Sequence, residues 1–263
     1  MSASPTTLGS SDVHVWVRDT ERLDRAALEA MSTVLSPDER ARRDRLLVEH
    51  ARREFIGAHH LVRQALSRYA NVAPDAWAFD AEPRGKPFIR HPIVEAPADR
   101  LTFNLSHARG FVACAIARGR TIGVDVERSD RLSDTEPLAR RFFSAVEYDA
   151  MAALDADARH ARFTLLWTHK EAFLKAIGDG LTRPLSETTF ELGRDGAIGF
   201  TTAIALEPAE WWFAIYRPRS DVFMSVAAHV PGRTGVRVLA RSDDAADRPL
   251  EPVAWTHPSF VRL

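Results

Sequence analysis

The chain has 263 residues, 45% hydrophobic and 27% charged, which is ordinary composition for a globular protein of one large domain or two small ones. Its 35 Lys and Arg against 36 Asp and Glu leave a formal net charge of −1, which argues against general nucleic-acid binding. A single cysteine, Cys114, excludes an internal disulfide and a Cys-based zinc site. With no bilayer-length apolar run and no signal-peptide pattern, a cytoplasmic protein without membrane contact is expected.

Residues 1–11 read as a loose tail, and 13–17 alternate Val-His-Val-Trp-Val as a strand does. Residues 20–31 carry a short helical pattern. Ser36-Pro37-Asp38-Glu39 starts a second helix: Ser36 can cap it, Pro37 suits its first turn, and Glu39 can bond back. This helix is predicted to reach about Tyr69, with or without a break, on a buried stripe of Phe55, Ala58, Val62, Leu66 and Tyr69. Its first half is dense in arginine: Arg40, Arg42, Arg43, Arg45, Arg52 and Arg53. Most read as a solvated face paired with nearby acids, and a few could bind phosphate.

Arg84-Gly85-Lys86-Pro87-Phe88 is a rigid turn carrying a cation. Residues 101–105 form a strand leading into Ser106-His107, and 111–117 form the next. His107 and the backbone N–H groups beside it could hold a phosphate, or His107 could be a turn residue that meets only water. Cys114 is most simply a small core residue.

Ile122-Gly123-Val124-Asp125-Val126-Glu127 follows. On a strand, side chains two apart share a face, so Val124 and Val126 point one way and Asp125 and Glu127 the other. The two carboxylates then lie roughly 7 Å apart. They need water, a cation or a metal between them, and Mg²⁺ takes one or two carboxylates completed by phosphate and water. The competing reading is an exposed edge strand with acidic outer residues.

Residues 137–143 and 144–154 read as helices, the second with Ser144 and Glu147 as a capping box. Residues 159–177 form a longer amphipathic helix on Phe163, Leu166, Trp167, Leu174 and Ile177, stopped by Gly178 and Gly180. Glu171 and Lys175 are neighbours on its surface. Their place on a Trp/Phe-rich helix suggests partial burial and a purpose beyond a surface ion pair. A hairpin turning at Asp195-Gly196 and strands at 211–216 and 222–229 follow. The second half thus repeats the first in outline, helix then antiparallel strands. Residues 231–263 read as a tail.

Four stretches stand in order: Arg84-Gly85-Lys86-Pro87, Phe103-Asn104-Leu105-Ser106-His107, Gly123-Val124-Asp125-Val126-Glu127, and Trp167-Thr168-His169-Lys170-Glu171-Ala172-Phe173-Leu174-Lys175-Ala176. Together, over about residues 13–230, they resemble the 4′-phosphopantetheinyl transferases, of the two-half, surfactin-synthetase-activating type.

The resemblance implies an α+β fold. Two similar halves, 12–128 and 129–230, each a small antiparallel sheet with a long helix, would be related by a pseudo-twofold axis, with coenzyme A between them. Having both halves in one chain implies a monomer. It implies transfer of the phosphopantetheine arm of coenzyme A to a serine of an apo acyl or peptidyl carrier protein, releasing adenosine 3′,5′-bisphosphate. Asp125, Glu127 and Glu171 are then the ligands of Mg²⁺, with Mn²⁺ as an alternative, and Val126 offers no ligand between the strand acids. Glu171 is the candidate base and Lys175 lies at the pyrophosphate. Lys86, Pro87, Ser106 and His107 surround the nucleotide phosphates. Arg53 and Arg42, with Arg40 beside them, face the 3′-phosphate, and Glu39 stands where some relatives carry lysine. Two other readings use the same residues: a metal-dependent phosphohydrolase acting on coenzyme A, and a non-catalytic module that binds coenzyme A or a carrier protein. The four motifs in one order favour the transferase.

Overall fold

The computed structural model describes residues 7–93, 100–129, 135–180, 183–193, 198–233, 236–243 and 249–250. The chain begins with strand β1 (Asp12–Asp19) and three helices, α1 (Arg25–Ser32), α2 (Pro37–Asp44) and α3 (Glu49–Ser67). The hairpin β2 (Ala78–Ala81) and β3 (Pro87–His91) follows, then β4 (Leu101–Ala108), β5 (Phe111–Arg118) and β6 (Ile122–Arg128). Helices α4 (Glu136–Phe142), α5 (Ala145–Ala152) and α6 (Ala156–Ile177) lead to a hairpin of β7 (Thr188–Leu192) and β8 (Ile198–Thr202). Strands β9 (Trp211–Arg219), β10 (Val222–His229), β11 (Arg237–Ser242) and β12 (Pro249–Leu250) complete it. The fold is α+β. The order long helix, hairpin, two antiparallel strands occurs twice, as α3 to β5 and as α6 to β10, which is the repeat expected.

Both capping boxes form. Ser36 accepts from Glu39 N–H while Glu39 accepts from Ser36 N–H, and Ser144 and Glu147 do the same at α5. The predicted long helix breaks between Asp44 and Glu49. Leu47 there is 93% exposed, so no buried stripe holds that turn in helical register.

Two sheets stack face to face. One has the order β12-β11-β1-β5-β4 and the other β6-β10-β9. Their inner faces bury Val13, Val15, Val17, Ala113 and Ala115 against Val124, Val126, Met224 and Val226. Helix α3 covers the outer face of the first sheet through Leu61, Val62, Ala65 and Leu66 on Val112, Cys114 and Ile116. Helix α6 covers the outer face of the second. Cys114 is fully buried, a core residue as read. Among the described residues no helix is long and apolar enough to cross a membrane.

Two expectations are corrected. Strand β6, placed in the first half with boundaries 12–128, pairs antiparallel with β10 of the second half, so the division by sequence is crossed in the sheet. The stretch 231–263, read as a tail, supplies β11, which pairs parallel with β1. Its charges hold it there: Arg237 pairs with Asp12 at 2.7 Å, and Asp243 receives the buried Arg18 and, at 3.0 Å, Arg68. The first sheet is therefore not purely antiparallel. Asp195 and Gly196, the predicted turn of the β7–β8 hairpin, lie outside the described residues, as do 251–263.

Candidate functional site

The site begins with a glycine. A Cβ on Gly123 would lie 2.0 Å from the Ala172 carbonyl oxygen and 2.6 Å from the Ala176 nitrogen. Without it, the α6 backbone rests directly on β6. Glu171 and Lys175, each one residue before those alanines, are thereby set beside Asp125, two residues along the strand from Gly123. Gly178 ends the helix in the left-handed region, φ 79°, its N–H bonding to Leu174 O.

Asp125 is 3% exposed. Its Oδ1 receives Lys175 Nζ at 2.6 Å and the Ser106 hydroxyl at 2.9 Å. Lys175 Nζ also donates to Ser106 Oγ at 2.7 Å. Lys175 thus reaches across to the strand, the role that surface pairing with Glu171 alone would not give it. Asp125 Oδ2 and Glu171 Oε1 are buried with no hydrogen-bond partner. Burial first, then the Asp125 charge, push the Glu171 carboxyl up to about 7, although Lys175 pulls the other way. Two partnerless oxygens of acidic side chains in a partly desolvated seam suit a divalent cation, which takes hard oxygen donors. Among the described residues no three His, Cys, Asp or Glu side chains are gathered closely enough to hold a metal by themselves. Glu127 lies further along the same strand face as Asp125, half-buried. The fit is therefore to an ion that draws only one or two carboxylates from the protein and the rest from phosphate and water.

The other expected residues are spread around this seam. Lys86 donates from Nζ to Ala176 O at the end of α6, 2.5 Å away, and burial lowers its pKa. Lys86 and Pro87 line a cavity of about 210 Å³ with Arg100, Thr102 and Arg120. Ser106 and His107 face opposite sides of β4. Ser106 is buried against Asp125, and His107 is exposed on the side that carries Phe103 and α3. Arg53 is not at the carboxylates. It donates to the carbonyls of Leu23 at 2.6 Å and Thr20 at 3.2 Å, and lines a separate polar cavity of about 610 Å³ with Arg25, Arg43 and Arg52. Arg42 lies over the Phe55 ring, 5.7 Å from its centroid, and Arg40 donates to Leu35 O. Glu39 is held at 2.9 Å by both Arg63 and His59.

Several neighbours of the site carried no signal in the sequence. His169 is wholly buried, its Nδ1 2.7 Å from the hydroxyl of Ser225, which stands opposite Asp125 in the ladder. Lys170 is also wholly buried, ion-paired with Glu147 at 2.8 Å and bonded to Leu185 O at 2.9 Å. Glu147 thus caps α5 and neutralises α6 at once. The two lie far apart in sequence, so periodicity could not join them.

The chain is also similar to known proteins. The family described as the 4′-phosphopantetheinyl transferase superfamily matches residues 121–227, and the one described as 4′-phosphopantetheinyl transferase, N-terminal, matches residues 23–118. The chain is 37% identical over 177 residues to the 4′-phosphopantetheinyl transferase HetI of Nostoc sp., covering 67% of this chain and 73% of that protein. It is 33% identical over 171 residues to the 4′-phosphopantetheinyl transferase Sfp of Bacillus subtilis, covering 65% of this chain and 72% of that one. A solved holo-(acyl-carrier-protein) synthase from Bacillus anthracis aligns with TM-score 0.37 and 15% identity, over 42% of this chain and 96% of that one. On the sequence identities and the two family matches, the chain belongs to the 4′-phosphopantetheinyl transferase superfamily and is a transferase of that kind.

Proposed function

We propose that this enzyme acts at the α6–β6 seam, moving the 4′-phosphopantetheine group of coenzyme A onto a serine of an apo acyl or peptidyl carrier protein. The serine Oγ bonds to the β-phosphorus of the coenzyme A pyrophosphate. The bond from that phosphorus to the bridging oxygen breaks, adenosine 3′,5′-bisphosphate leaves, and the serine proton passes to Glu171. The observation that carries this reading is the pair of partnerless buried oxygens on Asp125 and Glu171 with the Lys175 ammonium beside them.

Such a transfer asks mainly for positioning and for neutralisation of the phosphates. Mg²⁺ or Mn²⁺, held by Asp125 and Glu171 with Glu127 near, would supply charge neutralisation at the pyrophosphate. Lys175 serves the same end from the protein side. Glu171, with one buried oxygen left unpartnered beside Asp125, is the carboxylate placed to take the serine proton. Lys86, Pro87 and His107 line the approach of the nucleotide, and Arg53 and Arg42 meet the 3′-phosphate. The enzyme works as a monomer, since the repeated halves sit in one chain.

The test is the intact mass of an apo carrier protein after incubation with this enzyme, coenzyme A and Mg²⁺. A gain of one phosphopantetheine group, abolished by a chelator, is the expected result. Loss of intact coenzyme A with no gain on any of several carriers would replace the transferase reading by hydrolysis.

A further inference from the structure

Strand β6 carries the acidic residues, and among the described residues only one of its edges has a backbone ladder partner. Its ladder runs to β10, with Asp125 opposite Ser225. The N–H groups of Val124 and Val126 point the other way. Both residues are fully buried, so these two donors lie out of reach of water. Leaving such a donor unsatisfied is costly, because nothing repays the water it gave up on burial. They are satisfied by side chains of β4: Val124 N–H donates to Asn104 Oδ1 at 2.9 Å, and Val126 N–H to Ser106 Oγ at 3.2 Å. One step earlier, the Thr102 hydroxyl donates to Arg120 O at 2.9 Å.

Thr102, Asn104 and Ser106 are two apart, so they share one face of β4, while Leu101, Phe103 and Leu105 turn to the core under α3. The polar face thus makes a ladder of side chains that joins the first sheet to the second. Asn104 and Ser106 are each 3% exposed. The last rung also fixes the carboxylate. The single Ser106 proton goes to Asp125 Oδ1, while its lone pairs take Val126 N–H and Lys175 Nζ. Oδ1 is thereby occupied from two sides and Oδ2 is the oxygen left without a partner.

We propose that Asn104 and Ser106 are positioning residues for the cation site: they hold β6 in register and turn Asp125 so that Oδ2 faces the cation. Ser106 acts through Asp125 and not on the nucleotide. This rests on the reading of Asp125 as a metal ligand.

The test compares Asn104→Ala, Ser106→Ala, Ser106→Thr, Thr102→Val and Asp125→Asn with the wild type. Mn²⁺ affinity is measured by calorimetry on the full chain with coenzyme A present at saturation, amide exchange is followed at Val124 and Val126, and KM for coenzyme A is measured at saturating metal. Asn104→Ala and Ser106→Ala should each weaken Mn²⁺ binding by about ten-fold or more, the usual effect of removing a group that orients a ligand. Each should also speed exchange at its own amide and leave KM for coenzyme A unchanged. Ser106→Thr keeps the hydroxyl and should restore binding, and Thr102→Val should not alter it. Normal Mn²⁺ affinity in Asn104→Ala and Ser106→Ala, with binding lost in Asp125→Asn, would overturn the ladder and leave the cation site standing. A raised KM for coenzyme A in Ser106→Ala with normal Mn²⁺ affinity would make Ser106 a nucleotide contact and also overturn it. Wild-type Mn²⁺ affinity in Asp125→Asn would overturn the cation site itself and the ladder's role with it.

Discussion

Helix α3 meets its sheet through Leu61, Val62, Ala65 and Leu66, which lie on Val112, Cys114 and Ile116. Helix α6 meets its own sheet at Gly123, with Ala172 and Ala176 in backbone contact and Glu171, Lys175 and His169 close by. The two helices stand at equivalent places in the repeated order of elements. At the first, apolar side chains fill the space between helix and sheet, and burial is its own reward. At the second, the space is closed by removing a side chain, and ionisable groups are brought into the seam at a cost in solvation. On the proposed reading, the difference separates the two contacts: one serves as frame and the other as site.

The largest effect should come from Asp125→Asn. Transfer should fall by about 10²–10⁴-fold, the range for losing a charged catalytic participant, in a carrier-protein mass assay. Leu61→Ala on α3 is the counterpart. It should cost about 2–5 kcal/mol in urea unfolding and leave turnover per folded molecule unchanged. A large loss of turnover per folded molecule there would erase the contrast between frame and site.

Gly123→Ala sharpens the comparison. The atoms a Cβ would meet are α6 backbone, which cannot swing aside as a side chain can. Overpacking of this kind costs about 1–3 kcal/mol or more. Because the helix must shift, turnover should fall together with stability, whereas at Leu61 the two should separate. Unfolding curves and initial rates on the same preparation decide it.

His169 gives a pH signature on the α6 side, in the same range as that of His60 on α3, which burial also holds at about 4. Burial holds the His169 ring at about 4, below its ordinary 6.5. The unfolded chain therefore takes up the proton first as pH falls. Stability contributed by the neutral ring is complete above about pH 6.5 and is lost as pH drops toward about 4, by at most about 3 kcal/mol. Replacing His169 by Met should lessen the slope of that part of the stability–pH curve and leave the share of His60, read by urea unfolding at pH 7, 5.5 and 4.5. An unchanged slope would contradict it.

The smallest effect concerns the α3 side. Arg53→Ala should raise KM for coenzyme A by about ten-fold, or about 1.4 kcal/mol, and leave KM for 3′-dephospho-coenzyme A unchanged. Equal change with both substrates would mean that Arg53 serves only to hold the carbonyls of Leu23 and Thr20.

Much of this was legible in the sequence because it is local. Ser36 and Ser144 announce their helices, Gly178 ends α6, and the spacing of Asp125 and Glu127 sets one strand face. The alternation Thr102, Asn104, Ser106 was equally visible, although its meaning was not. Periodicity says which residues share a face and nothing about what lies opposite, so it counts β6 with the first half although its backbone ladder runs to β10. Glu147 reads as the capping partner of Ser144 and Lys170 as one residue of the α6 motif, and only the fold joins them. Strand β11 was hidden for a related reason. It is polar at its ends and held by Asp12–Arg237 and Arg18–Asp243, pairs 225 residues apart.

The most direct test of the account is Glu171→Gln, studied by single-turnover transfer and by equilibrium binding of coenzyme A on the same protein. The account predicts that the rate of transfer collapses while coenzyme A affinity changes little, because Glu171 receives the serine proton. Equal loss of rate and affinity would make Glu171 a ligand alone and move the base elsewhere.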